Sequence, residues 1–309
     1  MTVLFDLANE LGISETEVLT FLSDAPKKYK VYSIPKRRAG NRIIAQPSRR
    51  LKEYQSAFLK RYRLPVHHCA MAYRQGLSIK DNANSHRTNQ YLLKIDLENF
   101  FNSITPNLLW QSWNKKEELF TEPDRNILQR LLFWSPSKKN SGKLVLSVGA
   151  PTSPAVSNSF LYNFDEELHQ FCVKDHIVYT RYADDLTFSS NRKLLLFLIP
   201  KIVNSLLIEH FKRQITINHG KTVFSSKAHN RHITGITITN DGKLSIGRQK
   251  KRYIKHLVHQ FELGFLDVDD IYHLQGLISF SKHIEPLFIS GLAKKYSQKT
   301  LKKIFEVET

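Results

Sequence analysis

The chain has 309 residues, 41% of them hydrophobic, and carries 46 Lys and Arg against 28 Asp and Glu, for a net charge of +18 with His neutral. That composition supports a sizeable buried core and excludes wholesale disorder, collagen-like repeats and coiled-coil rods. The charge exceeds what solubility needs and points to a polyanionic partner, nucleic acid first and an anionic membrane surface second.

Two cysteines, Cys69 and Cys172, are too few for a disulfide scaffold or a Cys-rich zinc site, so a reducing compartment is expected. Met1 to Asp6 lacks a basic and apolar leader. The most apolar run, Leu194 to Ile199, is expected to stop at Pro200, far short of the roughly 20 residues that cross a bilayer. A soluble, cytoplasmic chain with no membrane partner is expected.

Residues 3 to 23 read as two short helices. Leu4, Leu7, Ala8 and Leu11 have helical spacing, Gly12 breaks the run, and Ser14 with Glu17 makes a capping box before Val18, Leu19 and Leu22. The pair reads as a helical cap on the main body. A DNA-reading helix pair is the alternative, but the second helix carries no basic residue before Lys27. Residues 26 to 63 then hold 13 Lys or Arg and one acid, Glu53, with Tyr29, Tyr32, Tyr54, Phe58 and Tyr62 interleaved. Cations mixed with aromatics suit a surface that tracks phosphates and stacks on bases. Within this stretch Val31 to Pro35 reads as a strand, Lys36 to Asn41 as a turn, Arg42 to Ala45 as the returning strand and Leu51 to Tyr62 as a helix.

Gln90 to Asp96 is an apolar strand that ends in an acid. Ile127 to Phe133 and Ala155 to Phe171 have helical spacing. Ile177 to Tyr182 and Leu186 to Phe188 form a hairpin with Ala183-Asp184-Asp185 at its tip. Two β-rich stretches, Gln214 to Asn218 and His232 to Thr239, bracket Lys221, and Asp241-Gly242 is a further hairpin turn. Arg248 onward reads as helices. Strands in the middle and helices at the end predict an α+β fold.

Asp184 and Asp185 alone are ordinary turn residues. Asp96, at the end of its own strand, changes their meaning. Three converging carboxylates repel and raise each other's pKa, and a hard divalent cation such as Mg²⁺ relieves this with oxygen ligands. Such a site suits phosphoryl transfer, with two ions holding the attacking and leaving oxygens.

Here the sequence resembles a known family. Tyr182-Ala183-Asp184-Asp185 resembles the YxDD signature of reverse transcriptases, and Ile95-Asp96-Leu97-Glu98-Asn99-Phe100-Phe101 their first catalytic motif. The two lie 88 positions apart. Between them Gly149-Ala150-Pro151-Thr152-Ser153-Pro154 resembles (Q)GxPxSP, and Asn218 to Thr222 resembles NxxKT. Asn82-Ala83-Asn84-Ser85-His86 matches the NAxxH pattern of retron reverse transcriptases, and Ile233-Thr234-Gly235 sits where they carry VTG. Val148 stands where the family usually has Gln. The helical tail is too short for an RNase H, maturase or endonuclease domain.

The resemblance implies a right-hand polymerase with an antiparallel palm sheet carrying the catalytic carboxylates. Its expected parts are a cap over 1–25, fingers over 26–90, a palm over 91–245 with a fingers-side excursion over about 105–147, and a thumb over 246–309. It implies metal ligation by Asp96, the Leu97 backbone, Asp184 and Asp185, with two Mg²⁺ ions. Arg42 would reach the triphosphate, with Lys36 and Arg37 as weaker candidates. Phe101 would exclude a ribose 2′-hydroxyl, Gly149, Ala150 and Pro151 would let the nucleotide approach the backbone, and Lys221 would steady the triphosphate or protonate pyrophosphate. A plain surface Lys is the alternative for Lys221.

RNA contacts are expected at Asn82 and His86, and on the Arg248 to Phe261 helix at Arg248, Lys251, Arg252 and Lys255, opposite an apolar stripe of Ile254, Leu257, Val258 and Phe261. The partners implied are a structured noncoding RNA of the chain's own, its single-stranded DNA product, deoxynucleoside triphosphates and effector proteins encoded alongside. Synthesis would start from a guanosine 2′-hydroxyl and serve anti-phage defence. The alternatives are an intron-type reverse transcriptase, an RNA-dependent RNA polymerase or an inactive RNA-binding scaffold.

Two other patterns carry less. Gly220-Lys221-Thr222 resembles the end of a P-loop, but Ile215 stands where that loop needs Gly. His67-His68-Cys69 is expected to be packing, because three consecutive residues converge poorly on one ion and no second cluster completes the set.

Overall fold

Thr2 and Ser14 cap the first two helices, α1 (Val3–Leu11) and α2 (Glu15–Leu22), in a computed structural model that describes residues 2–35, 40–113, 120–139 and 142–307. The predicted capping box is present: Ser14 accepts from the Glu17 N–H and Glu17 reaches back to the Ser14 N–H. Val18 and Leu22 of α2 are buried in the same core as the strands that follow, while Leu19 is exposed. A turn of 3₁₀ helix (Ala25–Lys27) leads to the hairpin of β1 (Tyr29–Pro35) and β2 (Asn41–Pro47), and Ser48 caps α3 (Arg49–Arg61).

After α4 (Ile79–Ser85), β3 (Tyr91–Leu97) enters the core. Next come α5 (Phe100–Ser103), α6 (Pro106–Trp113), α7 (Glu122–Leu132), the short pair β4 (Phe133–Trp134) and β5 (Val145–Leu146), then α8 (Ser153–Phe160) and α9 (Tyr162–Lys174). The expected single helix over 155–171 is thus two. At the joint the Phe160 carbonyl accepts from the Ser112 hydroxyl at 2.6 Å, and the chain resets at Leu161.

β6 (Val178–Tyr182) and β7 (Asp185–Ser190) make the predicted hairpin. α10 (Lys193–Phe211) does not stop at Pro200. It is long and apolar enough to cross a membrane by length and composition. Here one side of it, with Leu196, Ile199, Val203, Leu207 and Phe211, packs into the core against β3 and β7, and that packing offsets the hydrogen bond that Pro200 removes. β8 (Ile217–Ser226) is longer than the expected 214–218 strand. The β-rich stretch after it divides at Thr234-Gly235, both with positive φ, into β9 (Arg231–Ile233) and β10 (Ile236–Ile238), followed by β11 (Leu244–Ser245).

Over the described residues the central sheet has the order β6-β7-β3-β8, all antiparallel. The chain closes with α11 (Arg248–Glu262), α12 (Val268–Ile284), α13 (Pro286–Tyr296) and α14 (Gln298–Phe305). Two hydrophobic cores organise these parts. One joins the N-terminal helices, the β1–β2 hairpin and one face of the central sheet. The other joins α11 to α14, Leu92 of β3, Ala83 of α4 and the isoleucines of β9 and β10. The α+β expectation holds.

Candidate active site

β3 and β7 pair so that Asp96 faces Asp185, and the Leu97 N–H donates to the Asp184 carbonyl at 3.0 Å. These pairings bring the three predicted carboxylates to one end of the sheet. Tyr182 pairs with Asp185 across the hairpin, so Ala183 and Asp184 alone make the turn, and Ala183 takes a left-handed φ of 58°. A non-glycine residue held there costs about a kcal/mol or more, and persists only where its surroundings fix it.

Arg181 supplies that support. It is fully buried and donates to the Ala183 carbonyl at 3.1 Å and to Asn158 at 3.0 Å. It also forms a two-pronged ion pair with buried Asp165 of α9, whose carboxylate accepts from the Tyr179 hydroxyl as well. The sequence reading missed Asp165, Asn158 and Arg181. A buried polar residue inside an apolar stretch was their one signal.

The electrostatics are those of crowded acids. Desolvation of its carboxylate, then repulsion from Asp184 and Asp96, pushes Asp185 up to about 6, although the residue keeps one side open to solvent. Asp184 is also raised, first by desolvation, while Lys221 and Arg42 pull the other way. Lys221 places its ammonium 2.9 and 3.1 Å from the two oxygens of Asp96. It can reach because the β3–β8 register shifts between Lys94 and Asp96, leaving His219 to Thr222 outside the regular pairing. Oxygen-only donors that already hold a cation fit a hard divalent metal, so Asp96, Asp184 and Asp185 are the residues that would bind it.

Beside the carboxylates lies a cleft of about 350 Å³, lined by Lys52, Tyr73, Phe101, Ser147 to Pro151, Ser153 and Pro154. Predicted Phe101, Gly149, Ala150 and Pro151 all line it. Phe100 is in the core, and Phe101, whose ring meets that of Phe100 edge-on at 5.4 Å, packs against the same core while lining the cleft. Gly149 has φ 125°, and a Cβ there would meet Ile44 at 3.1 Å, so only Gly fits. The Ala45 N–H donates to the Val148 carbonyl and the Ser147 hydroxyl to the Ala45 carbonyl, which joins β2 to the cleft wall. Arg42, three residues earlier, is exposed, and its charge is felt at Asp184 and Tyr73. Lys36 and Arg37 lie outside the described residues. Lys52 and Tyr73 are additions. Lys52 was visible only as part of the basic stretch, and Tyr73 gave no signal.

The RNA contacts expected at Asn82 and His86 are corrected. Both side chains are buried. The two His86 nitrogens lie 2.8 and 2.7 Å from the Ser189 and Thr180 hydroxyls, and Thr180 donates to Asn82 at 2.6 Å. Burial lowers the His86 pKa to about 3, so the ring is neutral. These residues clamp α4 to β6 and β7. On α11, Ile254, Leu257 and Val258 are buried as predicted, with Phe261 half-buried, while Arg248, Arg252 and Lys255 are exposed. Lys251 is the exception: half-buried, it pairs with Glu285 at 2.5 Å.

A family model described as "Reverse transcriptase (RNA-dependent DNA polymerase)" matches residues 34–238. The chain is 49% identical over 278 residues to the Retron Ec83 reverse transcriptase of Escherichia coli, covering 89% of each. It is 31% identical over 296 residues to the Retron Ec73 reverse transcriptase of Escherichia coli, again covering 89% of each. Among solved structures, a telomerase from Candida albicans in complex with a fragment of telomeric RNA superposes with a TM-score of 0.51 at 14% identity. That match covers 89% of this chain and 59% of the other, and speaks to fold alone.

Proposed function

Since the chain belongs to the reverse transcriptase family, and within it to the retron enzymes, we propose that it copies part of its own structured noncoding RNA into single-stranded DNA, priming from a guanosine 2′-hydroxyl. That it is an RNA-directed DNA polymerase with a right-hand fold, acting on nucleic acid with a divalent metal, follows from the family. The finer reading rests on the site.

The observation that carries it is the meeting of Asp96, Asp184 and Asp185 at one sheet end beside a cleft floored by Gly149 and walled by Phe101. Two Mg²⁺ ions bound by these carboxylates would neutralise charge and align the attacking and leaving oxygens. The chain's own residues do the rest. Arg42 and Lys221 meet the triphosphate of a deoxynucleotide, as cations suited to phosphate oxygens. Phe101 fills the space a ribose 2′-hydroxyl would need. The exposed cations of α11 track the RNA backbone.

A cytoplasmic role in anti-phage defence, with an effector protein encoded alongside, completes the proposal. Co-expression with the RNA encoded just upstream should yield DNA joined to RNA through a 2′–5′ branch, and debranching should release it. DNA that migrates unchanged after debranching would refute the priming reading.

A further inference from the structure

His67, His68 and Cys69 converge although they are consecutive: one donor atom from each lies within 4.8 Å of the others. The second group that the sequence lacked nearby comes from α9. His169 Nε2 is 3.1 Å from His68 Nε2, and His169 Nδ1 is 3.3 Å from Cys69 Sγ. Donors on one tetrahedral zinc, with bonds of 2.0 to 2.3 Å, stand roughly 3.4 to 3.7 Å apart. One imidazole gives a single ion only one nitrogen, so a turn of the His169 ring would bring one of its edges to this spacing with His68 and Cys69. We propose that His68, Cys69 and a single nitrogen of His169, with His67 beside them, bind a zinc-class divalent cation that ties the 67–69 segment to α9.

The chemistry of the donors sets the ion. Imidazole nitrogens and a thiolate select zinc or its soft and borderline neighbours, not Mg²⁺. The oxygen-only set at Asp96, Asp184 and Asp185 has the opposite preference, so the two sites sort different metals. Burial and neighbouring imidazoles hold His67 and His169 below the usual range, which keeps them in the neutral form that ligates. Burial pushes the Cys69 thiol up, so binding must release its proton to solvent as the sulfur–metal bond forms. Glu166, on α9 one turn before His169, holds a carboxylate oxygen 3.2 Å from His67 Nε2. The other His67 nitrogen, Nδ1, accepts the Cys69 N–H at 3.3 Å, so Glu166 and His67 hold the 67–69 backbone in place around the ligands.

The site also has somewhere to act. The Cys69 carbonyl accepts the Arg181 N–H at 2.8 Å, and the Met71 N–H donates to the Arg181 carbonyl at 2.7 Å. Arg181 in turn props the catalytic turn. A cation at the cluster would fix the segment that zips onto β6 two residues before that turn. Its role is structural clamping, outside the set of groups that touch substrate.

The test uses the full chain, stripped with chelator and titrated with Co²⁺ as a spectroscopic probe for zinc. The expected result is one Co²⁺ per chain with a thiolate-to-cobalt charge-transfer band and the visible bands of tetrahedral coordination. Zn²⁺ should displace it, and should raise the melting temperature of the stripped protein by several degrees where Mg²⁺ does not. Cys69→Ser should abolish the thiolate band, and Cys172→Ser should keep it. His169→Gln, at a half-buried position that should tolerate exchange, should weaken Co²⁺ binding at least tenfold even if Cys69→Ser folds poorly. Cobalt held only by the carboxylates would give no thiolate band. Absence of that band in the wild type, or its survival in both Cys69→Ser and His169→Gln, would overturn the proposal.

Discussion

Asp96 is paired with Lys221, while Asp185 carries the strain of the crowded site in its raised pKa. The folded value, about 6, exceeds the unfolded 3.8, so the folded protein holds this proton more tightly. The stability it confers is complete below about pH 4 and is lost as pH rises through 6. In chelator at pH 7.5, Asp185→Asn should therefore melt higher than the wild type. After screening at its solvent-open side, about 1 kcal/mol remains, or roughly 2 °C. The gain should vanish near pH 4, and thermal melts at the two pH values check it. At Phe101 the expectation is steric. Phe101→Ala should raise ribonucleotide incorporation by about tenfold or more, a repulsive filter having been removed, while deoxynucleotide use falls modestly. Single-nucleotide incorporation assays with both sugars decide it, and unchanged discrimination would move the role elsewhere.

The hairpin of β6 and β7 depends on what lies beneath it. Arg181 and Asp165 are both fully buried, 2.6 Å apart. Asp165→Ala would strand a buried guanidinium and should cost about 3 to 5 kcal/mol, read by urea denaturation. Below its melting transition the variant should still extend primers poorly, because Ala183 loses the bond that holds its positive φ. A loss under about 1 kcal/mol would contradict this.

These elements also mark where the sequence was legible. The ends of β3 and β7 could be read because apolar runs stop at acids, and the cleft because Gly149 and Pro151 have steric meaning at their positions. Arg181 looked like one more residue of a strand, since its partner lies on a separate helix. Asn82 and His86 looked like surface groups, since only partners from β6 and β7 make their burial affordable. The length of β8 was hidden because its paired stretches, Ile217–Asn218 and Val223–Ser226, flank the unpaired bulge of His219 to Thr222, which has no local strand signal. The convergence of His67, His68 and Cys69 on His169 was hidden for the same reason, being a contact across 100 positions.

At the scale of the molecule, the +18 charge has a definite outlet on α11. Arg248, Arg252 and Lys255 are exposed there, whereas Lys251 is engaged by Glu285. Replacing the three exposed cations with Gln should flatten the salt dependence of RNA binding by roughly two to three units. Lys251→Gln should leave the slope unchanged and lower stability instead. Filter-binding titrations at several salt concentrations, with melts alongside, separate the two. Asp96, Asp184 and Asp185 would hold the metals of DNA synthesis, and primer extension on an RNA template measures that role. With Mg²⁺ the wild type should extend a DNA primer with deoxynucleotides. Asp184→Asn should bind the same primer–template but extend it on the order of 10²-fold more slowly or worse. Extension by Asp184→Asn at near the wild-type rate would contradict the account.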